Sequence, residues 1–508
     1  MADSRTNNVK RNIIGGMLNR IITLLLPFIT RTLIIYYLGA LYLGLNSLFS
    51  SILNVLNLAE LGFGAAMVFS MYEPIAKKDD VTLCAILHFY RRIYRMIGIF
   101  MLVSGLAVIP FFDTIITGDK PQGENIYLIY LIFLSNTVLS YLLFAYKSSV
   151  LSADQRQDVL SNISSFLSIV SAICQIIILV LFKNYLFFCL VWTVSTIANN
   201  LIVNYVVRKR YPSYVCKGKL SKAQIRDISK RVGGLFIYRL CYVFRDSFGS
   251  IVISSFIGLV ALANYNNYLY ITTTLTGFFA VIKSSIIASV GNSIATESVD
   301  KNFEDFLKIQ FVYMTIAAWS TVVLVCTFQP FVRLWLGEEY VLDKTTMLLF
   351  CALYYFYKAG DVCAVYRQAA GLWWQDRIRP IVEAVTCVVL SIVLVKKYGV
   401  AGVLLASIFC LVAINSIWAS WVLFKYYFVN MKQSSYIKRI GYYTLSTIIV
   451  AMVCGYLCDF LPFKGVLQLI SCGLLSGVAS IPLLYLLHSF LPELPKARSL
   501  VLTLIRKV

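Results

Sequence analysis

Residues 15–31 read "GGMLNRIITLLLPFITR". The interior of this stretch is apolar enough to cross hydrocarbon as a helix, yet Arg20 and Arg31 stand eleven residues apart within it. A helix of about 20 apolar residues spans roughly 30 Å of hydrocarbon. A charge on such a helix needs a partner, water or a route to the interface. Comparable apolar runs recur from end to end of the 508 residues, of which 59% are hydrophobic and 14% charged. Mean hydropathy is +0.78. A soluble chain of this length needs more charge to cover its surface, so the class is an all-α polytopic membrane protein.

Fourteen spans are predicted, near 12–38, 41–70, 93–112, 125–150, 159–182, 185–207, 231–257, 259–290, 309–329, 345–369, 380–396, 399–424, 440–458 and 465–490. An even number puts both termini on one side. With that side cytoplasmic, inside segments hold 29 of the 45 Lys and Arg, nine of them in 208–231, and outside loops hold seven. Short loops rich in Lys and Arg stay inside, so both termini are expected in the cytoplasm. The formal charge of +21 then reflects topology and attraction to anionic inner-leaflet lipid; it does not call for nucleic acid. The opening "MADSRTNNVKRN" reads as a cytoplasmic tail, not a cleaved signal.

The basic 208–231 stretch separates two halves. A shift of 219 residues sets "GGMLNR" on "GLFIYR", with Arg20 on Arg239, and "GALYLG" on "GLVALA". The expected organisation is an N-terminal six-helix bundle (1–207), a basic cytoplasmic linker (208–230), a C-terminal six-helix bundle (231–424) and two further helices with a cytoplasmic tail (425–508). Bundles that both start inside are parallel repeats about an axis along the membrane normal.

Arg20, Thr23, Pro27 and Arg31 share one stripe, roughly 16 Å long at about 1.5 Å per residue. Arg239, Tyr242, Asp246 and Ser250 form its counterpart. On the helices that follow, Asn46, Ser50, Asn57 and Glu60 share a face, as do Tyr265, Thr272, Thr276 and Lys283. Within these four helices Arg20, Arg31, Arg239, Arg245 and Lys283 meet only two carboxylates, Glu60 and Asp246. Because lipid offers a polar stripe no partner, the surplus predicts a water-filled cationic cavity between the halves that receives an anion. Asn57, Tyr242, Thr272 and Thr276 are its expected polar lining, and Tyr265, Tyr268 and Tyr270 are rim aromatics placed to stack on sugars. Lys147 and Arg95 are expected to snorkel, and Lys358 to pair with Asp361 along its helix.

Catalytic and metal chemistry find little support. The phosphate loop GxxxxGK is absent, no extramembrane segment is long enough to fold alone, and Glu338 and Glu339 on an outside loop read as solvated. The thirteen cysteines lack ligand spacing and read as buried thiols, and His88 and His488 stand alone.

The opening through "YLGALYLGLNSLF" and "LNLAELGFGAA" resembles the Wzx-type flippases of the multidrug/oligosaccharidyl-lipid/polysaccharide (MOP) exporter superfamily. The likeness is strong over residues 12–80 and reaches the rest through the span count and the basic mid-chain loop. It implies a MATE-like V of two six-helix bundles that alternates between inward-open and outward-open states. The implied cargo is an oligosaccharide on polyprenyl pyrophosphate, carried from the inner to the outer leaflet of the bacterial cytoplasmic membrane for polysaccharide biosynthesis, with Arg20, Arg31 and Arg239 meeting the pyrophosphate. It also implies no bound cofactor, energy from a proton or sodium gradient or the membrane potential, and contact with a polysaccharide polymerase and glycosyltransferases. Two rivals are a cation-coupled drug antiporter, which needs surplus intramembrane carboxylates, and a membrane glycan polymerase or transferase, which needs a long catalytic outside loop.

Overall fold

A computed structural model describes residues 2–57 and 63–495, with the side chains of residues 2–18, 20, 63, 65, 66, 227, 230–239, 281, 284, 285 and 288 left outside the description. No strand occurs among the described residues. In a medium without water each backbone polar group must find its partner inside the segment, and the helix is the open-ended form that achieves this.

The chain divides into two compact units, Met1–Ala263 and Asn264–Val508. The first contains α1 (Ala2–Leu38), α2 (Ala40–Leu56), α3 (Phe63–Lys77), α4 (Asp80–Val108), α5 (Phe112–Ile115), α6 (Ile126–Leu142), α7 (Ser148–Ala153), α8 (Gln157–Leu181), α9 (Tyr185–Arg210) and α10 (Lys222–Phe256). Helix α11 (Leu259–Thr296) begins at its edge. The second unit continues with α12 (Val299–Leu336), α13 (Lys344–Ala359), α14 (Asp361–Ala369), α15 (Arg379–Phe409), α16 (Ala419–Tyr426), α17 (Gln433–Asp459) and α18 (Gly465–His488).

Among the described residues, helices occupy the stretches predicted to be spans. Among the described residues nine are long and apolar enough to cross a membrane, or ten when the bent pair Ile126–Leu142 and Ala145–Ala153 is one span. Length and composition therefore fall short of fourteen. One reason is that Arg379–Tyr426 passes as a single segment, although Gly399 (φ 56°, ψ −135°) breaks its direction. A Cβ on Gly402 would lie 2.3 Å from the Leu394 carbonyl oxygen, as a tight turn between two helices requires.

Within the first unit α1 packs along α8, and α10 packs along α2. The C-terminal end of α10 is tied to the end of α5. The Ile115 carbonyl accepts from Ser254 Oγ at 2.9 Å and Ser255 Oγ at 3.3 Å, and Thr117 Oγ1 donates to the Ser255 carbonyl at 2.7 Å. Gly44 admits the backbone of Leu259, whose carbonyl oxygen would stand 2.1 Å from a Cβ there.

The basic segment between α9 and α10 is partly helical. A capping box of Ser221 and Gln224 starts α10 at Lys222, satisfying orphan N–H groups of the first turn. The loop before it folds onto the start of α4, where the Gly218 carbonyl meets His88 Nδ1 at 2.8 Å and Val215 N–H donates to Cys84 Sγ at 3.3 Å.

In the second unit α12, α17 and α18 enclose a core of Ala318, Val322, Cys326, Val450, Cys454, Cys458, Cys472 and Leu484. His488 is built into it, with Thr315 Oγ1 at 2.9 Å from Nδ1 and Ser446 Oγ at 3.0 Å from Nε2.

Candidate functional site

One span breaks where it would otherwise run straight. In the first unit the chain turns by 48° between α6 and α7, with Phe144 in left-handed backbone at φ 57°. In the second unit α13 and α14 meet at Gly360, whose backbone stays helical (φ −86°, ψ −10°), and Lys344–Ala369 runs on as one span. A discontinuous helix marks binding sites in transporters, because unwound backbone and freed side chains face a cavity there.

A lysine lies at each of these places. Lys147 is 7% exposed, so it is buried beside the break and does not snorkel. At the α13–α14 junction Lys358 Nζ lies 3.0 Å from Asp361 Oδ2, the pairing expected from their spacing. The same carboxylate also takes Lys283 Nζ at 2.8 Å from Oδ1, and Tyr313 OH donates to Oδ2 at 2.7 Å. Two ammonium groups thus share one carboxylate, and the group carries one net positive charge. Lys358 is 3% exposed, while the Lys283 side chain keeps 27% of its surface. Buried charge persists when paired and hydrogen-bonded, and Lys283 is the member within reach of an incoming ligand.

The other predicted residues are distributed as follows. Arg20 lies on α1 and Arg239 on α10, with side chains outside the described residues, and Glu60 lies outside them altogether. Arg31 is half-buried on α1. Arg245 is 9% exposed, pairs with Asp246 at 3.0 Å and stacks its guanidinium 4.9 Å from the Tyr242 ring centre; Tyr242 itself is exposed. The charge surplus read from four helices keeps its size when these neighbours are added, since Asp361, on a fifth element, is shared between Lys283 and Lys358.

Asn57 Oδ1 accepts from Tyr141 OH. Thr272 is buried and donates to the Leu269 carbonyl of its own helix at 2.9 Å, so it is spent on the helix and lines no open space. Thr276 is half-buried on α11. The expectation of rim tyrosines fails for two of three. Tyr265 is 5% and Tyr268 0% exposed. The Tyr268 ring packs 4.7 Å from Phe328 and 5.3 Å from Phe350, because α11 turns this face into the aromatic core.

A second charged network went unread in the sequence. Arg379, 1% exposed at its side chain, holds Asp376 through Nε at 2.8 Å and Glu383 through Nη1 at 2.6 Å. Arg367 Nε reaches Asp376 at 3.1 Å, and Asn415 Nδ2 donates to Glu383 at 3.3 Å from a π-helical stretch, Cys410–Trp418. Two arginines and two carboxylates balance, so this network fastens the loop between α14 and α15. The spacing of Asp376, Arg379 and Glu383 at i, i+3 and i+7 was the available signal.

This arrangement defines a polytopic helical membrane protein with a broken helix and basic residues at its intramembrane polar positions. The chain belongs to the polysaccharide biosynthesis protein family, whose model matches residues 9–287. Its fold is similar to that of the lipid II flippase MurJ in an inward closed conformation (TM-score 0.68, 17% identity, 93% of this chain and 98% of that one). It is also similar to an inward-facing multidrug resistance MATE family transporter of the MOP superfamily (TM-score 0.66, 15% identity, 85% and 99%). The Vibrio cholerae MATE transporter VcmN in the bent form matches at TM-score 0.53 and 14% identity, over 87% and 99%. No curated protein matches the chain by sequence. Family membership thus rests on the sequence match, and the MurJ and MATE structures share the fold.

Proposed function

We propose that this protein is a flippase. It moves oligosaccharide linked to polyprenyl pyrophosphate from the inner to the outer leaflet of the bacterial cytoplasmic membrane by alternating access, without altering the cargo's covalent structure. The observation that carries this reading is the Lys283–Asp361–Lys358 group, which keeps a net positive charge inside a helical membrane protein of the polysaccharide biosynthesis family. A buried cation excess favours an anion, here the pyrophosphate. A drug antiporter for cations needs the opposite excess.

The physical task fits the architecture. A sugar chain and two phosphates lose their hydrogen bonds to water on entering hydrocarbon, at a cost of several kcal/mol for each uncompensated group. A hydrated polar path removes that cost while the prenyl tail stays in lipid. Arg20, Arg31 and Arg239 join Lys283 as the residues proposed to meet the pyrophosphate. Arginine does so with a bidentate fork and lysine as a point charge. The family's role in polysaccharide biosynthesis makes glycosyltransferases and a polymerase the natural partners before and after flipping. A proton or sodium gradient or the membrane potential supplies the direction, and both termini lie in the cytoplasm.

The test is reconstitution in vesicles with a fluorescent polyprenyl-pyrophosphate glycan. Transfer between leaflets is expected, with the glycan recovered unaltered. Lys283→Glu is expected to impair transfer more than Lys283→Gln, since charge reversal adds repulsion to lost attraction. Equal tolerance of Glu and Gln would remove the anion argument. A lengthened or cleaved glycan would replace the flippase by an enzyme.

A further inference from the structure

The first unit contains a neutral polar cavity of about 280 Å³ among α1, α7, α8 and α9. Four carboxamides, Asn19, Gln157, Asn199 and Asn200, line it together with serine hydroxyls that include Ser161 and Ser164. Among the described residues, no charged or aromatic side chain lines it. It opens where the fourth predicted span breaks, since Ala145 and Ser148 form part of its wall.

Much of this polar capacity is unused by the fold. Asn19 Nδ2 donates to the Ser161 carbonyl at 3.3 Å, Asn200 Nδ2 donates to the Ser140 carbonyl at 3.2 Å, and Gln157 Oε1 accepts from Ser152 Oγ at 3.1 Å. Those bonds orient three carboxamides and leave the other end of each available. Among the described residues the side chains of Asn199, Ser161 and Ser164 have no hydrogen-bond partner. One turn along α9 from Asn200, Asn204 is 9% exposed and its Oδ1 likewise lacks a partner. Polar groups with unused donors and acceptors do not line a lipid-facing surface, so this cavity holds water or a ligand that replaces water.

The chemistry of the wall selects among ligands. The described wall offers carboxamides and hydroxyls, neither the cationic side chains that a pyrophosphate draws nor the carboxylates and aromatic faces that an organic cation draws. A carboxamide offers an acceptor and two donors side by side, and a serine hydroxyl can do either. That set complements a sugar ring, whose neighbouring hydroxyls each donate and accept. The volume lies just below the range of about 300–1,000 Å³ typical of small-molecule pockets, as suits one ring of a longer glycan.

We propose that this cavity is a saccharide subsite that takes a neutral sugar ring of the cargo. The inference rests on the flippase reading above. It assigns the sugar to the first unit's carboxamides and separates sugar recognition from phosphate recognition.

The test compares two lipids in the same reconstituted vesicles: polyprenyl-pyrophosphoryl-N-acetylglucosamine and bare polyprenyl pyrophosphate. Asn199→Ala and Ser164→Ala remove side chains that bond nothing in the fold, so the thermal midpoint of each should match that of the unmodified protein. A lost hydrogen bond to the ring should slow transfer of the glycosylated lipid by roughly 2- to 10-fold and leave the bare lipid's rate unchanged. Ser164→Leu, which fills the cavity, should deepen that selectivity. Equal slowing of both lipids at unchanged midpoint would overturn the subsite, since the cavity would then serve the path in general. Unchanged rates for both in all three variants would show a cavity that holds water only. If the unmodified protein moves neither lipid, the flippase reading fails and the subsite falls with it.

Discussion

Replacing Asp361 by Asn would leave two buried ammonium groups facing each other. Lys283 and Lys358 lie 2.8 and 3.0 Å from the two oxygens of this one carboxylate. That geometry sets the nitrogens roughly 6 Å apart, where like unit charges repel by about 3 kcal/mol at an effective dielectric near 20. Breaking a buried ion pair by removing one partner costs about 3–5 kcal/mol in total, and the hydroxyl of Tyr313 also exchanges a charged acceptor for a neutral one. The expected loss for Asp361→Asn is therefore about 3–5 kcal/mol. Lys358→Met, by contrast, leaves Asp361 neutralised by Lys283 and should cost little. Combined with Asp361→Asn it should recover much of the stability, because the remaining Lys283 keeps 27% of its side-chain surface and can be hydrated. Thermal unfolding in nanodiscs, followed by tryptophan fluorescence, gives the order. The unmodified protein and Lys358→Met should unfold highest, the double variant lower and Asp361→Asn lowest. If Asp361→Asn unfolds with the unmodified protein, or Lys358→Met is as damaging as Asp361→Asn, the shared-carboxylate account is wrong.

Three further outcomes are expected. A cysteine placed at Ser213, on the loop folded over α4, should resist impermeant thiol reagents added to intact cells, whereas one at Asp119 should react; labelling at Ser213 would reverse the proposed topology. Arg379→Ala takes from Glu383 its arginine and leaves Asp376 to Arg367 alone, and should cost about 3–5 kcal/mol; a loss under about 1 kcal/mol would mean that water reaches the network. Asp79 caps α4, and hydrogen bonds from Thr82 hold its carboxyl below the usual carboxylate range. This contribution is full above the ordinary carboxylate pKa and fades as pH falls through the depressed value. Protection of the first-turn amides of α4, taken relative to their intrinsic exchange rates at each pH, should fall over that acidic window, and in Asp79→Asn that fall should be absent.

Composition and periodicity determined the class. A chain with 14% charged residues and apolar runs throughout folds into membrane helices because unbonded backbone cannot stand in hydrocarbon. The spacing of Lys358 and Asp361 announced their pair, since residues three apart on a helix are neighbours. The arginines of the opening stretch, Arg20 and Arg31, were legible as an anomaly from the cost of intramembrane charge alone. Partners remote in sequence were not legible. Lys283 meets Asp361 only because α11 and α14 pack in one unit, 78 positions apart along the chain. Tyr268 had the same helical face as the expected lining, yet packing against Phe328 and Phe350 took it into the core. The carboxamide cavity draws on four separate helices, none of which shows in its own sequence that its amides will converge. Periodicity assigns a residue to a face of its helix, and only packing between helices decides what that face meets.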